Sequence, residues 1–225
     1  MAAGKGERMN PITLTTPKPL VKVHGVPMIE TVINGLINNG ISEIYIVVGY
    51  LKEQFEQLNK KYDGLTLIEN PFYETCNNIS SLYAARNYLE NAIILDGDQI
   101  IYNDSILFTD FEKSGYNCVY TDSETNEWLL SLDDENTVAS CSRTGGKNGW
   151  QLYSISRWNE KDGKTLKACL EYEFETKKNT GIYWDDVALF CQPEKFRLGI
   201  YEMKKGDIVE IDSIEELKEI DKSYI

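Results

Sequence analysis

The sequence has no apolar run approaching the roughly 20 residues that cross a bilayer, and no leader of the secretory kind. CxxC spacing is also missing. Its five cysteines, Cys76, Cys118, Cys141, Cys169 and Cys191, are widely spaced and odd in number. That pattern argues against a disulfide framework and for buried thiols in a reducing, cytoplasmic compartment. Positive charge is scarce: 23 basic residues stand against 36 acidic ones, a formal charge of -13. Such a field disfavours association with nucleic acid and welcomes cationic small molecules, although a nest of backbone N–H groups can still hold a polyanion locally. There is no internal repeat, no low-complexity tract and no linker rich in proline, glycine or serine. The only histidine, His24, falls in the turn-like VKVHGVP, which predicts a structural role or none.

What is present is a regular alternation. MIETVINGLINNG sets Ile29, Val32, Ile33, Leu36 and Ile37 on one helical stripe and closes on Gly40. EIYIVV, from Glu43, is continuously apolar and β-branched, the pattern of a buried parallel strand. YLKEQFEQLNKKY returns to helical spacing, LTLIEN reads as a strand, NISSLYAARNYLE as a helix and NAIILDGD as a strand ending in carboxylates. These alternating elements predict a mostly parallel sheet covered on both faces, within an α/β fold whose doubly wound sheet is mixed overall. After Asp98 the rhythm changes. YNCVYTD, EWLLSLD, NTVASCSR and GWQLYSISRW predict strands, with DDEN a hairpin turn. LKACLEYEFE and DDVALF predict helical turns, FRLGIYEM and IVEID two strands around KKGD, and Ser213 with Glu216 a capping box before a last helix. One domain over residues 1–225 is expected, with 122–195 supplying most of an elaboration of the sheet.

The residues that could carry chemistry begin in MAAGKGERMN. Ala2, Ala3, Gly4, Lys5, Gly6, Glu7 and Arg8, a stretch with two small residues, two glycines and two cations, can wrap backbone amides around phosphate while Lys5 or Arg8 neutralises it. A frayed basic terminus would look similar, and the loop is neither a dinucleotide fingerprint nor a Walker loop. Asp98 and Asp212 each follow an apolar strand, where a carboxylate can serve a hard cation or simply open a turn. Trp128 beside Glu127, and Tyr183 and Trp184 beside Asp185 and Asp186, pair ring faces with negative charge. A quaternary ammonium cannot donate a hydrogen bond and is held by such a combination. Packing is the alternative for any of these rings, and it is the expectation for Trp150, Trp158 and Trp184.

Joined to TTPKPLVKVHGVPMIE, the opening stretch resembles the amino-terminal signature of the nucleotidyltransferases that join a nucleoside triphosphate to a phosphorylated sugar or alcohol. CNNISSLYAAR, LDGDQ, TNEWLL, IYWDD and VEIDSIEEL then look most like the bacterial-type CTP:phosphocholine cytidylyltransferases, over nearly the whole chain. The resemblance implies a cytidylyltransferase that converts CTP and phosphocholine to CDP-choline and pyrophosphate. It further implies that Ala2 to Arg8 and Asn78 seat the nucleotide, with Arg8 and Lys5 facing its phosphates and Lys18 reaching the transferring or the acceptor phosphate. Asp98 and Asp212 would bind Mg2+, with Asp98 favoured over Asp96. Trp128, Tyr183, Asp185 and Glu210 would form the acceptor site. The expected partners are small-molecule substrates, with no membrane or nucleic acid, and self-association is left open. Family members carry a short apolar strand before the glycine-rich loop, so a loop that opens at Ala2 is expected to need a strand behind it. The alternatives are a cytidylyltransferase for 2-aminoethylphosphonate and, from another class, a nucleotide-binding regulatory or scaffold domain without turnover. A sugar-1-phosphate enzyme is disfavoured, because TNEW and YWDD suit an ammonium better than hydroxyls.

Overall fold

The computed structural model describes residues 1–225. Along the chain run β1 (Lys22–Val23), β2 (Val26–Pro27), α1 (Met28–Asn38), β3 (Ile44–Val48), α2 (Glu56–Lys61), β4 (Leu65–Glu69), α3 (Ile79–Ala84), β5 (Ala92–Leu95) and β6 (Gln99–Ile101). There follow β7 (Gly115–Thr121), β8 (Leu129–Leu132), β9 (Val138–Ser142), β10 (Gly149–Trp158), α4 (Glu160–Glu171), β11 (Gly199–Glu202), β12 (Ile208–Glu210) and α5 (Ile214–Ile220). The chain divides into two compact units. The first comprises Met1–Ala85, Asp96–Thr109 and Gly206–Ile225; the second comprises Arg86–Leu95 and Asp110–Lys205.

In the first unit α1 buries Met28, Ile29, Val32, Ile33 and Leu36. Ile37, counted on the same stripe, is 42% exposed, because one residue after Leu36 is a rotation of about 100° away from the core. Gly35 lets the helix close on Leu107: a Cβ there would stand 2.8 Å from Leu107 Cδ1. β3 pairs in parallel with β4 from Ile44↔Leu65 to Val48↔Glu69, and four of its five residues are buried, as a continuous apolar run requires. Met1 to Ala3 run alongside it. Ala2 N donates to Val47 O at 2.8 Å, Tyr50 N to Ala3 O at 3.1 Å, and Gly97 N to Met1 O at 2.8 Å. Backbone pairing on two sides thus anchors the start of the glycine-rich loop. A core of Met9, Val21, Val23, Met28, Ile100, Ile211 and Leu217 ties that loop to β6, to the segment after β12 and to α5.

The second unit is built on a mixed sheet in the order β11-β7-β10-β8-β9, with β5 also paired to β10. β5 runs antiparallel to β10, and parallel pairing between strands is confined to β3–β4 and β7–β11, which makes the fold mixed as expected, with less parallel pairing than the alternation in the first half suggests. β11 and β12 both form around the KKGD turn but do not pair with each other. β11 lies beside β7 and β12 beside β6, where Asp207 O accepts from Tyr102 N and Asn103 N. The DDEN turn closes β8 onto β9, with Asp133 Oδ1 accepting from Glu135 N and Thr137 N. Behind the sheet, Tyr116, Trp158 and Trp184 are all but sealed from solvent. Their ring centroids are 6.2 to 6.4 Å apart, and Trp158 Nε1 donates to Ser156 Oγ at 2.9 Å. Packing is therefore the observed fate of Trp158 and Trp184. Trp150 meets Tyr120 edge-on at 5.3 Å near the surface.

Candidate active site

Lys18 organises the first unit's site. It opens a short 3-10 turn, Lys18–Leu20, set by the prolines on either side of it, and its side chain is only 9% exposed. The Nζ donates to Asp98 Oδ2 and to Asp212 Oδ1, each at 2.6 Å. Arg8 Nη2 reaches the same Asp212 oxygen at 2.9 Å from an exposed position. Carboxylates 80 and 194 positions along the chain from Lys18 thus meet on its ammonium. Burial alone would lower the pKa of Lys18, but the two aspartates outweigh it and hold the pKa above the usual lysine value. Burial would raise Asp212, yet Lys18 and then Arg8 hold its carboxyl below the usual range.

The loop and the lysine are built together. Gly6 has φ 63°, and a Cβ on it would stand 2.8 Å from Lys18 Cβ and 3.2 Å from Thr13 Cγ2. The Gly6 carbonyl accepts from Thr13 Oγ1 and Met9 N, both at 2.9 Å, which closes the turn into the Glu7–Met9 3-10 helix. Ala2 and Ala3 are buried, and Gly4, Lys5, Glu7 and Arg8 face solvent. Lys5 lies 3.4 Å from Glu74. Asn78 precedes α3, its backbone N donating to Asn77 Oδ1 at 2.7 Å. The adjoining loop is fastened by buried Asn70, whose Nδ2 donates to Ser80 Oγ and Ser81 Oγ.

Three carboxylates share the lysine's surroundings. One oxygen each from Asp98, Glu210 and Asp212 lie within 4.8 Å of one another. Asp98 Oδ1 is buried and accepts no hydrogen bond. An all-oxygen donor set with an orphaned buried oxygen fits a hard divalent cation, which prefers carboxylates to nitrogen or sulfur. Glu210 is exposed as a residue, with its carboxyl beside those of the two aspartates. Burial and then Asp98, Asp96 and Asp212 push its pKa up to about 8, with Lys18 pulling the other way. The geometry therefore sets Glu210 among the carboxylates of the first unit. Asp212 is aimed by α5: Glu216 Oε2 accepts from Asp212 N at 2.7 Å and Ser213 N at 2.9 Å, completing the expected capping box.

In the second unit, Trp128 and Tyr183 come together with ring centroids 5.8 Å apart and planes at 89°. Phe190, which the sequence did not single out, meets Trp128 at 5.6 Å and the same angle. Asp185 lies near Tyr116 and Cys141: burial and then this carboxylate push the Tyr116 hydroxyl well above its ordinary value, and Cys141 to about 12. The other residue missed is Arg143. Its guanidinium carbon is 3.8 Å from the Phe190 centroid and 5.7 Å from that of Trp128. The sequence did hold a signal, the TGG after Arg143. Thr125 and Gly146 exchange two backbone hydrogen bonds of 2.9 Å, and Gly145 is packed so closely that a Cβ would fall 1.8 Å from Thr125 O. This pairing draws the Arg143 turn onto the TNEW loop.

A glycine-rich loop thus packs on a lysine that bridges two aspartates, with a third carboxylate beside them, and the comparisons show the family. The MobA-like NTP transferase domain model matches residues 1–154, and the chain belongs to that nucleotidyltransferase family. Among curated relatives, a 2-aminoethylphosphonate cytidylyltransferase of Lancefieldella rimae is 37% identical over all of this chain and 92% of its own length. A choline-phosphate cytidylyltransferase of Streptococcus pneumoniae is 34% identical over 99% of this chain and 95% of its own. The solved CTP:phosphocholine cytidylyltransferase of Streptococcus pneumoniae superposes with a TM-score of 0.91 at 32% identity, covering 100% of this chain and 96% of that one. An inositol-1-phosphate CTP transferase from T. maritima, at 16% identity and a TM-score of 0.77, shares the fold. No helix is long and apolar enough to cross a membrane.

Proposed function

We propose that this chain is a cytidylyltransferase that converts CTP and phosphocholine to CDP-choline and pyrophosphate. The observation that carries the nucleotidyl-transfer chemistry is Lys18 held at 2.6 Å from both Asp98 and Asp212. Near full-length similarity to a choline-phosphate cytidylyltransferase, with the Trp128–Tyr183 pair, supports the acceptor. In this reading Ala2 to Arg8 and Asn78 bind the nucleotide, with backbone N–H groups and Lys5 at its phosphates. An oxygen of the acceptor phosphate attacks the α-phosphorus in line and pyrophosphate leaves. A phosphate monoester is already nucleophilic at neutral pH, so no general base is assigned and His24 has no part. Lys18 and Arg8 stabilise the charge that gathers on the α-phosphate oxygens. Asp98, Asp212 and Glu210 would hold Mg2+, whose charge would neutralise that of the triphosphate. Glu210 moves here from the acceptor set because its carboxyl lies with the two aspartates. Trp128 and Tyr183 face the choline methyls, and Asp185 balances their charge.

A second reading, 2-aminoethylphosphonate as acceptor, is favoured by the 37% identical Lancefieldella rimae relative. The test crosses CTP, UTP, ATP and dTTP with phosphocholine, 2-aminoethylphosphonate, phosphoethanolamine and glucose 1-phosphate in the presence of Mg2+. The readout is pyrophosphate release. Fastest turnover with CTP and phosphocholine is expected. Preference for the phosphonate selects the second reading, and turnover with the sugar phosphate alone overturns both.

A further inference from the structure

We infer that Arg143 sets the head-group selectivity of the acceptor site by filling one of its cation seats with the protein's own guanidinium. The inference rests on the reading above that the Trp128–Tyr183 cluster receives the acceptor's ammonium. The guanidinium lies over Phe190 and also contacts Trp128, at 3.8 and 5.7 Å to their centroids. Its Nε and Nη2 both donate to Asp186 Oδ1, at 3.1 and 2.5 Å. Asp186 is only 4% exposed, whereas Arg143 is 48% exposed. The aspartate and the rings, rather than enclosure, therefore hold the arginine in place. The other Asp186 oxygen accepts from Tyr183 N at 3.0 Å, so one carboxylate fixes both the internal cation and the backbone that carries the Tyr183 ring.

The consequence is subtraction. Arg143 neutralises Asp186 and covers ring surface of Phe190 and Trp128 that would otherwise face a cation. An incoming head group is left with the Tyr183 ring, 49% exposed, the remaining surface of half-buried Trp128, and Asp185. A trimethylammonium gains from every ring face it can touch and donates no hydrogen bond. A primary ammonium has three N–H donors and depends more on carboxylate oxygens. By removing ring surface and keeping one carboxylate, Arg143 narrows the advantage of methylated amines over unmethylated ones.

The test measures kcat/KM for phosphocholine and for phosphoethanolamine, with CTP and Mg2+, in wild-type protein and in Arg143→Met/Asp186→Asn. The double change exposes the rings without leaving a buried carboxylate unpaired and keeps an oxygen for Tyr183 N. The ratio of phosphocholine to phosphoethanolamine should rise by about tenfold, the scale of one cation–π seat, while the KM for CTP stays constant. Arg143→Lys keeps Asp186 paired but loses the flat stack. It should move the ratio in the same direction by less, and it carries the test should the double variant not fold. An unchanged ratio, or equal losses for both acceptors, in folded variants of an active enzyme overturns the role of Arg143. No turnover of either acceptor by the wild-type protein overturns the functional reading itself, and this inference with it.

Discussion

Gly6 and Lys18 are packed so closely that a Cβ on the glycine would stand 2.8 Å from the Cβ of the lysine. The glycine-rich loop and the residue bridging Asp98 and Asp212 are therefore one mechanical unit. Gly6→Ala also forces a side chain into φ 63°. The substitution should lower kcat by displacing Lys18, while Gly4→Ala, where a Cβ meets nothing within 4 Å, should perturb the lysine far less. Steady-state kinetics of the two variants checks this, and equal losses would separate loop geometry from the lysine.

Removing the ammonium should be costlier. Lys18→Ala takes away a donor aimed at developing charge, for which a loss of about 10²–10³ in kcat is typical. It also leaves Asp98 and Asp212 facing each other without their shared cation. A divalent cation should then raise the Tm of the variant by more than that of the wild type, because no ammonium competes for the carboxylates. Thermal melts with and without Mg2+ measure the difference, and an equal response in the two proteins contradicts the shared site.

Glu210 gives a signed dependence on pH. The folded protein holds its proton up to about pH 8, whereas the unfolded chain releases it near the ordinary value of 4.5. Across that window the folded state binds more protons, so this group's contribution to stability falls as pH rises. Asp212 runs the other way. Its carboxyl is held below 3.8, and it contributes stability above that value that is lost as pH falls through the folded pKa. The Tm of Glu210→Gln should gain on that of the wild type as pH climbs from about 5 to about 8. A saturating divalent cation, which favours the ionised carboxylate, should shrink the gain. A difference that is flat across the window, as melts at several pH values would reveal, contradicts the crowding of carboxylates.

The two kinds of tryptophan should fail differently. Trp158 is fully buried and hydrogen-bonded to Ser156, and Trp158→Ala should cost about 3–5 kcal/mol of stability, the usual range for a buried aromatic. Half-buried Trp128→Ala should leave most of that stability, raise the KM for phosphocholine and leave the KM for CTP unchanged. Denaturant melts and paired KM measurements separate the cases, and an unchanged phosphocholine KM removes Trp128 from the acceptor site.

Periodicity made much of this molecule legible. The α1 stripe, the apolar β3, the four strands after Asp98 and the Ser213–Glu216 capping box are local patterns, and local patterns survive in a sequence. Pairing does not. β11 and β12 are consecutive strands around a short turn, yet each finds a partner far along the chain. Burial patterns mark a strand without naming its neighbour. The site shows the same split. Motif resemblance brings Lys18, Asp98 and Asp212 to notice together, whereas the sequence shows the charge of Glu210 without showing that its carboxyl stands beside those two aspartates. Arg143 stands on an exposed turn, and its one cue in the sequence is the TGG that follows it. Only the Thr125–Gly146 pairing, which joins two loops, carries it to Trp128.

The most direct measurement follows the product itself. Purified protein is incubated with CTP, phosphocholine and Mg2+, and CDP-choline is quantified by chromatography beside Lys18→Ala. The account predicts CDP-choline in amounts equal to the pyrophosphate released by the wild-type protein, and at least about a hundredfold less from the variant. Pyrophosphate without CDP-choline, or equal product from the two proteins, would contradict it.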